Sequence, residues 1–321
     1  MKKGYLITAY DQPLQLARLI HALQNPNVVF YIYIDKKVPI GPFTEAIGSQ
    51  SNVKIISSID VTWMGFSQVQ STLEIMSEAA KEHCDYYTLL SGSDYPIKSN
   101  QYILDFFSNA KHEFINFWRL VDRPSWISKI LYYYPIDWIP IWNYQSSPFR
   151  RYYWGYFYKL LPYMPHRTFL KGLDPYGGCG WWSLSHDCLT YILKYASENN
   201  AFTKYYKLTH CPIEMFFQTI ILNSEWASRV KNYASYKQWS ATTSVEDKLK
   251  ENRMLPEDSF NYRYIDWSPE RTGGLGRPAT LNESDFEALR SSNNLFARKV
   301  DEKISRTLLD LIDEFRYTHD L

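Results

Sequence analysis

The feature that most constrains the fold is the regular alternation of apolar runs and helical patterns in the first hundred residues. The runs "GYLITAY" (4–10), "VVFYIYID" (28–35) and "NVKIISS" (52–58) have the length and composition of buried strands. Leucines and isoleucines at helical spacing follow Pro13, and a second amphipathic pattern covers 66–83. Strands that alternate with helices form right-handed crossovers and a mostly parallel sheet. The sequence therefore predicts an α/β fold.

Polar residues follow the predicted strands. Tyr10 and Asp35 come at the ends of the first two runs, and "DYYTLLSGSDYPI" (85–97) is a predicted strand that leads into a polar turn at 91–95. Ligands of such sheets bind beyond the carboxyl ends of the strands, so we expect a pocket at this edge. Asp35 could accept hydrogen bonds from a uracil or a ribose there, or it could serve only as a strand-end turn residue.

Composition excludes some classes of partner. The chain has 321 residues and a formal net charge of +1, so no overall field attracts nucleic acid, and we expect no nucleic-acid partner. The 27 Tyr and 11 Trp suit stacking on bases and sugar rings, although an aromatic-rich core explains many of them. Four cysteines without metal-type spacing favour reduced thiols, and the N-terminal apolar patch is too short for a signal peptide or anchor. We expect a cytoplasmic protein, soluble or peripheral on the membrane.

Residues 118–176 differ in character from the rest of the chain. They mix Trp, Tyr, Pro, Arg and Lys with little clear period, which predicts an inserted, loop-rich lobe within a single domain over 1–321. The lobe separates a first half, 1–117, from a second half, 177–301, and a C-terminal helix is predicted over 302–321. The aromatic and basic mixture could lie against a membrane interface, hold a lipid-linked substrate, or form a satellite core with exposed tips.

The second half continues the alternation of strands and helices. A glycine-rich turn, a short strand and a helix are predicted over 177–199, and another helix begins at Pro212. "YRYIDW" (262–267) predicts a late strand, and 280–301 predicts a helix. These elements complete the predicted α/β domain.

A single carboxylate, Glu214, stands in the otherwise apolar segment "CPIEMFFQTIILNS" (211–224). The helical pattern places it in the first turn, beside Gln218 at the margin of the buried stripe. A glutamate in a first turn is favoured by the helix dipole alone, and it could also be a base that takes a proton from a substrate. The residues by themselves leave both alternatives open.

Several catalytic motifs do not occur in the chain. Neither G-x-G-x-x-G, the phosphate loop, H-E-x-x-H nor a D-x-D pair is found. If the protein transferred a sugar from a nucleotide, groups other than a D-x-D-bound metal would have to neutralise the diphosphate. Arg277, which follows a glycine-rich turn, and Lys299 suit phosphate oxygens, and each could equally be an ordinary surface cation.

Eight segments, taken in order, resemble the core-2/I-branching enzyme family. The resemblance spans 4–301 except 118–176, and "SGSDYPIKS" and "LFARKVD" are its most specific parts. The segments are "YLITAYDQPLQLARLIHAL", "YIYIDKK", "VTWMGFSQVQSTLEIM", "DYYTLLSGSDYPIKSNQYI", "GGCGWWSLS", "CPIEMFFQTIILNS", "RYIDW" and "RPATLNESDFEALRSSNNLFARKVD".

The resemblance implies a GT-A-type nucleotide-binding fold and an inverting transfer of a sugar from a UDP donor to a hydroxyl, without a metal or other cofactor. The family includes branching β-1,6-N-acetylglucosaminyltransferases, peptide O-xylosyltransferases and bacterial relatives, so GlcNAc or xylose is the expected sugar. The acceptor is expected to be a glycan or a lipid-linked glycan, in the synthesis of a bacterial surface polysaccharide. In this reading 1–117 binds the nucleotide, 118–176 faces acceptor or membrane, and 177–301 carries catalysis and the diphosphate site.

The resemblance also implies roles for individual residues. Glu214 takes the place of the general base, and Arg277 and Lys299 take the places of the cations that hold the diphosphate. The remaining matched positions lie around the uridine (Thr8, Tyr10, Asp35 and Trp63), beside the acceptor (Trp267) and near the sugar (Asp94 and Trp181).

Two other classes of function compete with this prediction. A carbohydrate-binding or scaffold protein could have kept the fold and lost catalysis, in which case sugar would bind without release of UDP. A glycoside hydrolase normally needs two carboxylates across the scissile bond, and the sequence offers no convincing partner for Glu214.

Overall fold

The computed structural model of the protein describes residues 1–138, 155–244, 247–248, 261–273 and 277–318. Eleven strands are assigned among these residues: β1 (Lys3–Ala9), β2 (Val28–Ile34), β3 (Val53–Ile56), β4 (Tyr86–Ser91), β5 (Asp94–Pro96), β6 (Phe114–Ile115), β7 (Trp118–Arg119), β8 (Tyr176–Gly177), β9 (Trp182–Ser185), β10 (Arg263–Ile265) and β11 (Phe296–Arg298). The helices of the described residues include α1 (Pro13–Ala22), α2 (Gly41–Ile47), α3 (Ser67–Ala79), α4 (Asn100–Ser108), α5 (Ser128–Leu131), α6 (His186–Glu198), α7 (Asn200–Tyr206), α8 (Phe216–Leu222), α9 (Tyr233–Thr242), α10 (Pro269–Thr272), α11 (Phe286–Ser291) and α12 (Arg306–Thr318), and residues 155–160 are also helical.

A six-stranded sheet in the order β3-β2-β1-β4-β9-β6 forms the centre of the molecule. The first four strands in this order are parallel, whereas β9 runs antiparallel to both of its neighbours. Thr8 near the end of β1 lies opposite Tyr33 in β2 and Ser91 in β4, so the carboxyl ends of these strands meet at one edge. The structure confirms the predicted α/β fold with a mostly parallel sheet.

Both faces of the sheet are covered, which explains why β1 and β2 are continuous apolar runs. Tyr5 and Ile7 of β1 pack on one face with α1, α2, α4 and α12, while Leu6 packs on the other with α3, α6 and α8. Each fully buried side chain of this size contributes about 1.5–3 kcal/mol relative to exposure. Burial on both faces therefore fixes the register of the strands.

Serine side chains cap the N-termini of two of the helices that cover the sheet. The Ser99 hydroxyl accepts a hydrogen bond from the Tyr102 amide at 3.2 Å at the start of α4, and Ser185 does the same for Cys188 at 3.3 Å at the start of α6. Such caps satisfy amides that have no partner within the helix. They set the ends of both helices.

A second, three-stranded sheet has the order β10-β11-β5. The helix predicted over 280–301 is therefore wrong in its last part. A 3-10 turn over Glu283–Asp285 leads into α11, and the chain then extends into β11. Phe296 and Ala297 are buried between β5 and β10, and pairing with these distant strands replaces helical hydrogen bonding.

The two ends of the inserted lobe lie side by side, because β7 pairs with β8 in an antiparallel ladder. Trp118 lies opposite Gly177, and Arg119 opposite Tyr176. Inside the lobe, Tyr134, Ile136 and Leu161 form a small apolar cluster of their own. Among the described residues, no helix has both the length and the apolar character needed to span a bilayer.

Candidate active site

The ends of the first two strands carry three of the predicted site residues. Thr8 accepts a hydrogen bond at its carbonyl oxygen from the Gly92 amide, at 3.0 Å. The Asp35 amide donates to the Ala9 carbonyl, also at 3.0 Å, so Asp35 follows β2 directly beside the end of β1. Tyr10 is 49% exposed at the same edge. The structure thus brings Thr8, Tyr10 and Asp35 together.

The Asp35 side chain organises the loop that carries Trp63. Its Oδ1 accepts hydrogen bonds from the Lys37 amide at 3.0 Å and the Val61 amide at 3.2 Å. The Lys37 Nζ lies 3.4 Å from the other carboxylate oxygen. Asp35 is buried and holds the loop against β2, while Trp63 is 38% exposed. The predicted contact of Asp35 with a nucleoside would come in addition to this structural role.

Asp94 lies at the centre of a buried charge cluster. Its Oδ2 accepts hydrogen bonds from the Ser91 amide at 2.5 Å and the Ser91 hydroxyl at 2.7 Å. The Nε of Arg263 lies 2.7 Å from Oδ1, and the Nη1 of Arg298 lies 3.4 Å from Oδ2. One carboxylate therefore faces two guanidinium groups, which leaves an excess of positive charge. Asp94 itself is fully buried, so it meets the surface only through its partners.

Trp181 provides a flat surface beneath both arginines of this cluster. The guanidinium carbon of Arg298 lies 4.7 Å from the Trp181 ring centroid, and that of Arg263 lies 5.0 Å from it. Such contacts are favourable because the cation faces the electron-rich ring. Arg263 is buried, whereas the Arg298 side chain retains 20% of its exposure. Arg298 is therefore the accessible member of the cluster.

Neither arginine was a site candidate from the sequence, although a signal exists for each. Arg263 is a cation inside the predicted strand 262–267, where a charge needs a buried partner. Arg298 immediately precedes the predicted diphosphate ligand Lys299 in "LFARKVD". Both signals become specific only once Asp94 is known to lie opposite Arg298.

Lys299 lies near the end of β1. Burial raises the pKa of the Asp11 carboxyl, and the positive charge of Lys299 is the largest influence that lowers it. Asp11 follows Tyr10, and the Glu302 amide donates to the Gln12 side-chain oxygen at 2.7 Å, so the segment that carries Lys299 passes close to the end of β1. The backbone of Lys299 is fixed because its carbonyl oxygen accepts a hydrogen bond from the Leu281 amide at 2.9 Å.

Trp267 and Arg277 lie beyond the end of β10. Trp267 follows this strand and is 54% exposed, and Arg277 is also exposed. The Ala279 amide donates to the carbonyl oxygen of Asp266 at 2.9 Å. Ala279 lies two residues after Arg277, and Asp266 immediately precedes Trp267, so this bond brings the two segments together. Both side chains thus belong to the same end of the small sheet.

Glu214 lies in a separate turn, which corrects its predicted place in the first turn of a longer helix. Cys211 adopts a left-handed conformation with φ 50°, and Pro212–Glu214 form a 3-10 turn. Met215, with φ −140°, interrupts the helical conformation before α8 begins. The turn is held from outside, because the Cys211 amide donates to the Met64 carbonyl at 2.9 Å.

The predicted neighbour Gln218 is also placed differently from the sequence expectation. It is fully buried rather than at the margin of the apolar stripe, and its Nε2 donates to the Cys179 carbonyl oxygen at 2.8 Å. This bond satisfies the Nε2, whereas the buried Oε1 has no hydrogen-bond partner among the described residues. The bond to Cys179 links α8 to the glycine-rich turn before β9.

The same glycine-rich turn clamps the backbone of Glu214. The Gly178 amide donates to the Glu214 carbonyl at 2.8 Å. A Cβ at Gly178 would lie 1.8 Å from the Asn116 carbonyl oxygen, so only glycine fits there. The Glu214 side chain retains 30% of its exposure. A rigid backbone thus presents an accessible carboxylate.

Glu214 pairs with Lys129 from the inserted lobe. The Lys129 Nζ lies 2.5 Å from the Glu214 Oε2 and 3.5 Å from the Trp126 ring centroid. The sequence did not indicate Lys129, because the lobe has no clear period from which its position could be inferred. The pair joins the candidate base to the part of the molecule predicted to face the acceptor.

Glu214 and the positive cluster act on the same thiol. Burial raises the pKa of the Cys179 thiol, Arg263 and Arg298 lower it, and Glu214 raises it further. The neighbouring Gly178 amide donates to the Glu214 carbonyl oxygen at 2.8 Å, and the Trp181 ring contacts both arginines. The turn after β8 therefore contacts the residue that carries the acid through Gly178 and the two cations through Trp181.

His210 is the other potential base beside Glu214. Burial, reinforced by the charge of Lys129, lowers the pKa of His210 to about 3. Its Nε2 lies 3.2 Å from the Tyr158 hydroxyl. An imidazole with so low a pKa takes up protons poorly at neutral pH. Glu214, whose side chain is 30% exposed, is also more accessible than the buried His210.

A cleft of about 430 Å³ lies beside the Trp63 loop. Its lining includes Thr62, Phe66, Asp137 and Lys207, and none of the ten residues predicted for the site. Across the described ranges, no three or more His, Cys, Asp or Glu side chains form a group that could hold a metal ion.

Comparisons with known proteins identify relatives of the whole chain. The sequence profile described as "Core-2/I-Branching enzyme" matches residues 4–290. Xylosyltransferase 2 of Mus musculus is 24% identical over 325 residues, which cover 98% of this chain and 33% of the mouse protein. Xylosyltransferase oxt of Drosophila melanogaster is 22% identical over 328 residues, with the same two coverages. The chain thus spans about a third of the length of the curated relatives it matches.

A search of solved structures found the galactosyltransferase LgtC, in complex with donor and acceptor sugar analogues. The similarity covers 98% of this chain and 95% of the LgtC chain, with a TM-score of 0.35 and 8% sequence identity. The family assignment is independent of that similarity, because it depends on the profile, which matches most of the sequence. The chain belongs to the core-2/I-branching enzyme family, a family of glycosyltransferases.

Proposed function

We propose that the protein transfers a sugar from a UDP donor to a hydroxyl of a glycan acceptor, with inversion at the anomeric carbon and without a metal or other cofactor. The observation that carries the proposal is the arrangement around the turn 178–181. Gly178 of this turn clamps the backbone of an accessible carboxylate, Glu214, and Trp181 of the same turn contacts Arg263 and Arg298. Inversion needs this pairing of a base and a charge-stabilising group.

Glu214 acts as the general base in the proposed reaction. As the acceptor hydroxyl attacks the anomeric carbon, its proton passes to the carboxylate and the bond to the diphosphate breaks on the opposite side of the sugar. A positioned base contributes about 10²–10⁴-fold to such a step. The ion pair with Lys129 orients the carboxylate until the acceptor arrives.

Cations stabilise the departing diphosphate in this proposal. Arg277 and Lys299 are the ligands implied by the family, and the segment that carries Lys299 contacts Gln12, two residues after Tyr10. Arg298 borders Lys299 and belongs to a cluster with excess positive charge, so it is a further candidate. Fixed cations in a partly dry site need no reorganisation as charge develops on the leaving group.

The remaining predicted residues define the rest of the proposed site. Trp63 would stack on the uracil, with Asp35 beside the ribose, and Trp267 would support the acceptor ring. Asp94 and Trp181 would shape the sugar pocket through Arg298. The names of the xylosyltransferase relatives support xylose as one donor sugar. The resemblance to branching N-acetylglucosaminyltransferases implies GlcNAc as the other. We propose a cytoplasmic enzyme of bacterial surface polysaccharide synthesis with a glycan or lipid-linked glycan acceptor.

A screen of UDP-sugars for release of UDP tests this function. We expect release from UDP-xylose or UDP-GlcNAc to persist in excess EDTA, because protein cations replace a metal at the diphosphate. Complete loss in EDTA with recovery in Mn²⁺ would contradict metal independence. Sugar binding without UDP release from any donor would favour the carbohydrate-binding alternative.

Removing the predicted phosphate ligands should weaken the binding of UDP much more than the binding of uridine. We expect Arg277→Ala and Lys299→Ala each to weaken UDP binding by roughly tenfold or more, since each loses a charge-assisted contact, while uridine binding changes about twofold at most. Isothermal titration calorimetry with both ligands measures the difference. Lys303→Ala removes an exposed lysine close to Lys299 in the chain and serves as the control. Equal weakening of UDP and uridine would show that neither cation touches phosphate.

A further inference from the structure

Positive charge is concentrated in the inserted lobe. Residues 118–176 contain eight Lys and Arg residues and three Asp residues, a net charge of +5 in a chain whose overall formal charge is +1. Two of the three carboxylates are engaged inside the molecule. Asp122 is buried beside Lys248 at 2.8 Å, and Asp137 accepts a hydrogen bond from the Ser67 hydroxyl at 2.6 Å. Little negative charge from these two residues reaches the surface of the lobe.

One helical segment of the lobe is apolar on two sides. Residues 155–160 are helical and continue into a 3-10 turn over Leu161–Tyr163. Phe157, Leu161 and Met164 pack into the apolar cluster of the lobe. An ordinary surface helix would be polar on the opposite side.

The opposite side carries Tyr156, Lys159, Leu160 and Tyr163, which we call the exposed lobe face. Tyr156 is 51% exposed, Leu160 56% and Tyr163 86%, and Lys159 is exposed between them. The spacing of 156, 160 and 163 aligns the three apolar side chains along one side of the segment. Trp138, which is 67% exposed, adds a further large aromatic to the same lobe.

We propose that the exposed lobe face seats the protein on the surface of an anionic lipid membrane. Tyr and Trp prefer the headgroup level of a bilayer, where the ring is in an apolar layer and its polar edge stays wet. Leu160 and Tyr163 would enter the headgroup boundary, while Lys159 and the exposed Lys171 face anionic phosphates. This binding is independent of the proposed transfer chemistry.

Charge complementarity selects the membrane over other occupants of this face. A second copy of the chain would bring the exposed Lys159 and Lys171 of one lobe against those of another, and like charges repel across an interface. A soluble polyanion would satisfy the cations and leave Leu160 and Tyr163 in water. An anionic bilayer meets both the charged and the apolar parts of the face.

Vesicle co-sedimentation of the full chain tests the proposal. We expect stronger binding to vesicles that contain phosphatidylglycerol than to phosphatidylcholine alone, with a decrease as salt is added. Lys159→Glu should lower affinity for the anionic vesicles by about 30-fold, because it changes the net charge by two units and each unit contributes about a kcal/mol. Leu160→Ser with Tyr163→Ser should lower it by about tenfold, because both lose burial at the interface.

A matched control removes equally exposed side chains elsewhere. Tyr102→Ser, Ile304→Ser and Lys303→Glu combine two apolar residues that are 51% and 56% exposed with one exposed lysine outside the lobe. We expect this variant to bind vesicles as the parent does. Thermal unfolding and UDP binding of every variant report folding and the active site separately, so a failure of membrane binding is distinguishable from a failure of the proposed function.

Four results would overturn the proposal. They are equal binding to neutral and anionic vesicles, no binding to either, equal losses in the lobe and control variants, and a dimer in light scattering that the lobe variants abolish while vesicles are not bound. Binding to soluble heparin in place of anionic vesicles would also assign the face to a polyanion and contradict the membrane.

Discussion

Replacing Glu214 with glutamine is expected to reduce sugar transfer by about a thousandfold, within the range that a positioned base supplies. The amide has nearly the shape of the carboxylate but cannot take the proton of the acceptor hydroxyl. UDP affinity should stay close to that of the parent, because Glu214 pairs with Lys129 rather than with the predicted diphosphate ligands. Turnover with the preferred donor and calorimetric binding of UDP measure the two effects.

The variant should fold normally, since the clamp on this residue uses its backbone. The Gly178 amide donates to the Glu214 carbonyl oxygen, which the substitution leaves in place. Glu287→Gln makes the same chemical change at a side chain that is 71% exposed, and it should not affect transfer. If Glu214→Gln kept near-normal turnover, another group would have to be the base.

The central sheet was predictable because its strands are visible in local sequence. β1 and β2 are continuous apolar runs, which a mostly parallel sheet requires when helices cover both of its faces. Their ends were visible too, since polar residues follow them. The predicted edge of Tyr10 and Asp35 therefore corresponds to neighbouring strand ends in the structure.

The small sheet was not predictable in the same way. The three residues of β11 fit the end of the helix expected over 280–301, and only pairing with β5 and β10 decides that they are extended. That pairing also places Arg298 opposite Asp94. The positive cluster is therefore a product of long-range contacts, and local pattern contains no trace of its geometry.

The candidate base was also predictable from the sequence only in part. Glu214 was recognisable as a lone acid in an apolar segment, but the helical period placed it in the wrong element. External contacts to Met64 and Gly178 hold a separate turn, and no periodicity reports them. Its partner Lys129 comes from a lobe without a regular pattern, so the ion pair could only be found in three dimensions.

Replacing Asp94 with asparagine is expected to lower the free energy of unfolding by about 3–5 kcal/mol. The change removes the only carboxylate in contact with Arg263 and Arg298 in the described cluster and leaves a buried guanidinium without a counter-charge. Burial lowers the pKa of Arg263 and Asp94 raises it, so the charged guanidinium depends on Asp94 for its stabilisation. Urea denaturation measures the loss.

Asp310→Asn is the matched control, because Asp310 pairs with Arg18 at 2.7 Å but is 64% exposed. Exposed pairs contribute about 0–1 kcal/mol, so its effect should be small. The double variant Asp94→Asn with Arg263→Gln should lose less stability than the sum of the single variants, since removing the cation also removes the unpaired charge. A loss at Asp94 no larger than that at Asp310, or strict additivity in the double variant, would mean that the three charges are not coupled. In that case Arg298 would not be held by Asp94 beside Trp181, and the positive side of the proposed site would lose its support.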